Sequence, residues 1–128
     1  MAFEGLGPIG QIHVSVTDVD RSVAFYRDVL GVPFLFQVPG QPMAFFDCAG
    51  VRLYLGVPES PEFRSNPILY FTVGDADEAY EALRVRGVEF RGAPHVVHRT
   101  ETSELRMAFF EDPDGNHLAV MAEGPIAG

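Results

Sequence analysis

Cysteine is nearly absent: Cys48 stands alone in 128 residues, which excludes an intrachain disulfide and fits a reducing compartment. Basic residues are scarce. Nine Lys and Arg against eighteen Asp and Glu give a net charge of −9, the wrong balance for a partner made of phosphates. An acidic chain of this kind stays soluble and favours cationic ligands. No stretch approaches the roughly 20 apolar residues of a membrane span, and no basic-then-apolar leader opens the chain. The expectation is a cytoplasmic protein with neither a nucleic-acid nor a membrane partner. What is present is 47% hydrophobic residues in a chain of one-domain size, enough for a buried core.

The chain repeats itself. Met-Ala-Phe-Phe occurs at Met43–Phe46 and again at Met107–Phe110, each followed by an acid (Asp47, Glu111), a glycine (Gly50, Gly115) and a leucine (Leu53, Leu118). Val29–Phe34 is echoed by Val85–Phe90, and Val16–Asp20 by Val73–Asp77. Three matched segments in the same order mean one supersecondary unit used twice.

Each unit reads strand, helix, then three strands. Ile12–Val16 alternates apolar and polar; Asp18 or Asp20 caps a helix with Val23, Tyr26 and Leu30 on one stripe, and Gly31 ends it. Extended segments follow at 33–38, 43–47 and 51–56. Three prolines between Pro58 and Pro67 mark a connector. The second unit starts with a strand at 68–73. Asp75 or Asp77 then caps a helix carrying Ala76, Ala79, Tyr80 and Leu83 on one face, and Gly87 stops it. Strands are expected at 88–90, continuing through 94–99, at 105–111 and at 117–121. Asp112-Pro113-Asp114-Gly115 has turn chemistry throughout. The expected fold class is α+β, with two tandem βαβββ modules spanning about 9–57 and 68–121 and a linker at 58–67.

Successive strand side chains point to opposite faces, so parity sorts them. Ile12, Val14 and Val16 share one face with Val51, Leu53, Leu55, Leu69, Phe71, Val73, Leu118 and Val120. The other face carries His13, Ser15, Arg52, Tyr54, Tyr70, Thr72, His117 and Ala119. A solvated outer face is ordinary for such sheets. Two tyrosines, two histidines and an arginine suit a ligand-sized cup better.

The doubled unit, the run Val16–Gly31 containing Phe-Tyr-Arg-Asp-Val-Leu-Gly, and Asp112-Pro113-Asp114-Gly115-Asn116 together resemble the vicinal oxygen chelate superfamily. That group holds the glyoxalases, bleomycin-resistance proteins, fosfomycin-resistance enzymes and extradiol dioxygenases. The resemblance implies sheets curled into a cup. In the enzymes, a divalent metal is held there by the first and last strands of each module. The matching positions here are His13, Tyr54, Tyr70 and Ala119, so only one bears a usual ligand; the glutamate that the family often places last is missing. A catalytic metal ordinarily takes about three protein ligands. The pattern is therefore similar to the bleomycin-resistance branch, which binds a drug in the cup without a metal of its own.

The remaining candidates carry less. His95 and His98 are spaced for opposite faces of a strand. Gly5–Gly10 matches G-x-G-x-x-G, but it precedes a strand and contains Pro8, so it is no dinucleotide loop. Cys48 has no neighbouring base to make it a nucleophile. Arg52 suits a ligand anion or a surface acid equally. The sequence leads first to a metal-free, small-molecule-binding homodimer with the eight residues of the polar face as ligand contacts, sequestering a toxic or cationic compound. A second reading is a lyase, isomerase or dioxygenase with zinc, iron, nickel or manganese at a non-standard site around His13 and His117. A third has His13 moving a proton with Tyr54 or Tyr70 as partner. No catalytic residue can be named from spacing alone.

Overall fold

The computed structural model describes residues 3–126, so the outermost ends of the 1–128 domain lie outside the described residues. The first module is β1 (Gln11–Ser15), a helix, β2 (Phe34–Gln37), β3 (Met43–Cys48) and β4 (Val51–Gly56). The second is β5 (Leu69–Thr72), α2 (Ala76–Val85), β6 (His95–Arg99), β7 (Ser103–Glu111) and β8 (His117–Pro125). Each forms its own four-stranded mixed sheet, ordered β1-β4-β3-β2 and β5-β8-β7-β6. In both, the first strand pairs parallel with the last, and the others pair antiparallel. The expected βαβββ order holds in both halves. Among the described residues no helix is long and apolar enough to cross a membrane.

Both helices start as the sequence implies. Asp18 accepts a hydrogen bond from the Arg21 amide, and Asp75 accepts from the amides of Asp77 and Glu78. Their ends differ. The first helix, α1, is α-helical only over Val19–Val23 and widens into π-helical turns over Ala24–Val29. The hydrogen bonds give the reason. Val32 N–H closes on the Tyr26 carbonyl, whereas in α2 Val88 N–H closes on the Leu83 carbonyl. Module one fits one extra residue between the same two anchors, and a π-bulge absorbs such an insertion. Gly31 and Gly87 then take positive φ, 76° and 96°, to end the helices.

The extended piece expected at 88–99 is broken. Phe90 makes one isolated bridge to Phe110, and strand pairing resumes only at His95. The turns also differ. The β3–β4 hairpin has Ala49 and Gly50 both at positive φ (53° and 96°), the mirror-image turn that suits strand twist. The β7–β8 connection is one residue longer and places only Gly115 at positive φ, 81°.

One core joins the modules. Val14, Tyr26, Phe46, Leu53 and Leu55 of the first cluster with Leu83, Phe110, Leu118 and Val120 of the second. These are the helix-facing residues that strand parity selects. A polar clamp then locks the second module's turn into the first. Tyr26 donates its hydroxyl to Asp112 (2.7 Å), and Asn116 donates to both Asp112 and the Ser15 carbonyl. Asn66 donates to Asn116, while Thr17 and Arg21 reach Asp114. Burial, then the nearby Asp112 carboxylate, pushes the Tyr26 phenol far above its usual range, so it serves as a fixed donor.

Candidate functional site

The sheet faces turned away from the core carry the polar set. Across the first sheet one ladder position holds four rings in a row: His13 on β1, Tyr54 on β4, Phe45 on β3 and Phe36 on β2. Their centroids are 4.5, 5.0 and 4.9 Å apart, and Tyr54 stacks on Phe45 at 19°. This is offset stacking range, worth about 0.5–1.5 kcal/mol per pair beyond area burial. Tyr54 lies flat because Gly56 leaves it room: a Cβ there would stand 2.5 Å from the Tyr54 ring.

Above the row, the connector closes a cavity of about 470 Å³. Its walls include His13, Tyr54, Met43, Phe63, Glu59 and Glu62. Pro61–Phe63 forms a single 3₁₀ turn, and Ser65 ties it down: Ser15 N–H donates to the Ser65 carbonyl and Ser65 N–H to the Ser15 hydroxyl. The Ser15 hydroxyl also lies 3.2 Å from His13 Nε2, a hydrogen bond whose direction follows the His13 tautomer. The other ring nitrogen, Nδ1, is buried and makes no hydrogen bond of good geometry. Burial lowers the His13 pKa below 6.5, and the Tyr54 backbone carbonyl offsets this in part. Tyr54 shifts upward, through burial and then the Glu59 carboxylate. The ring pair is thus held neutral, with carboxylates at the opposite wall.

The second sheet repeats the row with a gap. Tyr70 on β5 and Phe109 on β7 meet edge to face at 5.9 Å, and His95 stacks beyond Phe109 at 6.4 Å. Between them on β8 stands Ala119, in the position Tyr54 fills in the first sheet, and fully buried. Tyr70 is 47% exposed. Within one chain His13 meets Tyr54 and Tyr70 neighbours Ala119, but no ring of one row touches a ring of the other among the described residues.

The other sequence-selected residues sit apart. Arg52 lies over the Phe45 ring at 5.4 Å, facing Asp47 across the ladder. His117 is at the rim with Arg91 and Glu111. Ser15 is buried as a brace rather than a lining group, and Thr72 is exposed on the free edge of the second sheet. Among the described residues no three His, Cys, Asp or Glu side chains converge as a metal site. The family's ligand positions hold one imidazole, two phenols and a methyl group, a donor set that does not fit a divalent metal.

Sequence reasoning passed over Phe36, Phe45, Met43, Phe63, Glu59 and Glu62. Phe45 was within reach: parity along β3 sends the first phenylalanine of each Met-Ala-Phe-Phe outward and the second to the core. The connector residues have no periodicity to read.

Comparison with known proteins identifies the family and the fold. The family model described as Glyoxalase/Bleomycin resistance protein/Dioxygenase superfamily matches residues 8–120. The uncharacterized protein YraH of Bacillus subtilis is 32% identical over 123 residues, covering 86% of this chain and 94% of its own. Metallothiol transferase FosB of Staphylococcus epidermidis is 36% identical over 116 residues, covering 86% and 79%. The solved structure of TnmS3, an antibiotic binding protein from Streptomyces sp. CB03234, superposes with a TM-score of 0.74 at 23% identity. That match covers 95% of this chain and 100% of the other.

Proposed function

The chain belongs to the Glyoxalase/Bleomycin resistance protein/Dioxygenase superfamily, and from that premise we propose that it binds a planar, cationic small molecule without a metal of its own. The observation that carries this reading is the continuous row Phe36–Phe45–Tyr54–His13 beneath a cavity flanked by Glu59 and Glu62. Flat rings offer stacking and cation–π contacts of roughly 0.5–2 kcal/mol each, and the carboxylates add charge complementarity. A neutral His13 adds one hydrogen bond of about 1 kcal/mol. The antibiotic-binding activity in the name of TnmS3 is the kind of role this arrangement suits.

The two aromatic rows point from separate sheets. A cup lined by both is therefore completed by a second copy, with the Tyr70–Phe109 row of one chain opposing the Tyr54 row of the other in a homodimer. The test is a thermal-shift screen of planar and cationic compounds, followed by titration of Tyr54→Ala, Tyr70→Ala and His13→Ala. Tyr54→Ala is expected to lose about tenfold or more in affinity, more than His13→Ala. Binding abolished by His13→Ala and kept by both tyrosine variants would overturn the aromatic cup.

The likeness to metallothiol transferase FosB favours one alternative, a metal-dependent enzyme with a non-standard site at His13 and His117. Elemental analysis decides between them. About one divalent metal per chain, lost in His13→Ala, would replace the present reading with that one.

A further inference from the structure

The duplicated fold holds a second cavity, on the core side, and its twin in the other half shows what fills such a space. In module one, the notch between the helix end, the first strand and the opposing turn is plugged by Tyr26, Asp112 and Asn116. Their counterparts can be read from the ladders. Tyr26 and Leu83 each follow the capping aspartate by eight residues, and each carbonyl takes the closing helix bond. Asp112 faces Asn116 across its turn as Cys48 faces Val51. The three polar plugs are thus replaced by Leu83, Cys48 and Val51. At that place lies a cavity of about 520 Å³, walled by Leu30, Val32, Phe71, Leu83, Phe110 and Val120.

One wall is polar in a specific way. Val73 donates to the Met121 carbonyl, so the alternation of the parallel ladder turns the N–H and C=O of Thr72 away from β8, toward the free edge. Thr72 corresponds to Ser15, whose C=O accepts from the Asn116 carboxamide and whose N–H donates to the Ser65 carbonyl. Thr72 has neither partner among the described residues, and Val51 can supply none. As an exposed edge strand, β5 therefore presents a free donor and a free acceptor at the mouth of the cavity.

We propose that this cavity is a binding site for a compact aromatic amide or lactam. The ring takes the space that Tyr26 fills in the other half, and the amide exchanges two hydrogen bonds with the Thr72 backbone, as Asn116 and Ser65 do with Ser15. Tyr70 borders this cavity, but the first-sheet row Phe36–Phe45–Tyr54–His13 that carries the proposed function does not line it, so the two readings can fail separately.

Benzamide is the probe, titrated into the full chain and followed by ¹H–¹⁵N correlation spectra. Saturable shifts are expected at the amides of Cys48, Thr72, Val73 and Leu83. Methyl benzoate, which lacks the N–H donors, should bind about tenfold more weakly. Leu83→Tyr and, independently, Val51→Asn rebuild parts of the plug and should each weaken benzamide at least about tenfold, while Tyr54→Ala leaves it unchanged. The second variant keeps the test valid if the first fails to fold. Shifts confined to His13 and Tyr54, no saturation, equal binding of the ester, or dissociation of a dimer by Leu83→Tyr would each overturn the proposal, the last by making a second copy the occupant.

Discussion

The two turns that close the modules occupy equivalent places and do opposite work. Asp112–Asn116 is sunk into module one, where buried Asp112 accepts from the Tyr26 hydroxyl, the Asn116 carboxamide and two backbone amides. Among the described residues, Cys48–Val51 is hydrogen-bonded only through its own ladder and the Asp47 side chain, which accepts from Gly50 N–H. The extra residue in α1 and the extra residue in the β7–β8 turn fall on the same side. Both serve one interface, the closed one. The open one keeps a cavity, and burial lifts the Cys48 thiol pKa there, with Asp47 adding to the effect. Duplication supplied two copies of a joint; one became a clamp and the other stayed a space.

Unequal mutational costs at matched positions give the strongest break of this comparison. Asp112→Ala strands several buried donors at once, and each unsatisfied group costs about 1–3 kcal/mol, so a loss of about 3 kcal/mol or more is expected. Cys48→Ala, its counterpart, should cost about 1 kcal/mol or less, because a small side chain beside an existing cavity is removed. Urea unfolding of both variants measures the difference. Equal costs would mean that the clamp contributes nothing special.

Within the first sheet, Gly56→Ala tests how tightly the ring row is set. The new methyl meets the Tyr54 ring at 2.5 Å and must displace it. A stability loss of about 1–3 kcal/mol is expected, with a change in near-UV circular dichroism from the disturbed tyrosine. A silent substitution would show that the row tolerates rearrangement, and it would weaken the cup with it.

The smallest effect is a pH dependence carried by His13 in the first row. His13 has a folded pKa below its ordinary 6.5, so the unfolded chain takes up a proton first as pH falls. Its contribution is neutral above pH 6.5 and becomes destabilising below it, reaching its full size beneath the folded pKa. Denaturation midpoints measured from pH 7.5 down to 5 should fall more steeply for the native chain than for His13→Gln. Parallel slopes would place the proton elsewhere.

How far the sequence reaches is clear from particular residues. Local periodicity sufficed wherever one residue's neighbours along the strand decide its face. Leu53 and Phe71 turn to the core while His13, Tyr54 and Tyr70 turn away, as alternation requires. The caps at Asp18 and Asp75 and the stops at Gly31 and Gly87 are local chemistry too, and they were legible. The module order followed from the internal repeat and from the family resemblance built on it. What no local pattern encodes is how two similar units meet. The π-turn absorbs the extra residue of α1, but what it serves shows only where Tyr26 meets Asp112, and the closed and open notches differ only once the units are docked. Phe63, Glu59 and Glu62 join the cup because Ser65 pins the connector to β1, a contact between residues 50 apart in sequence. The separation of the two aromatic rows is likewise set by how the shared core orients the sheets. Strand faces are a property of the chain; the joint between the copies, and the spaces it leaves, belong to the tertiary structure alone.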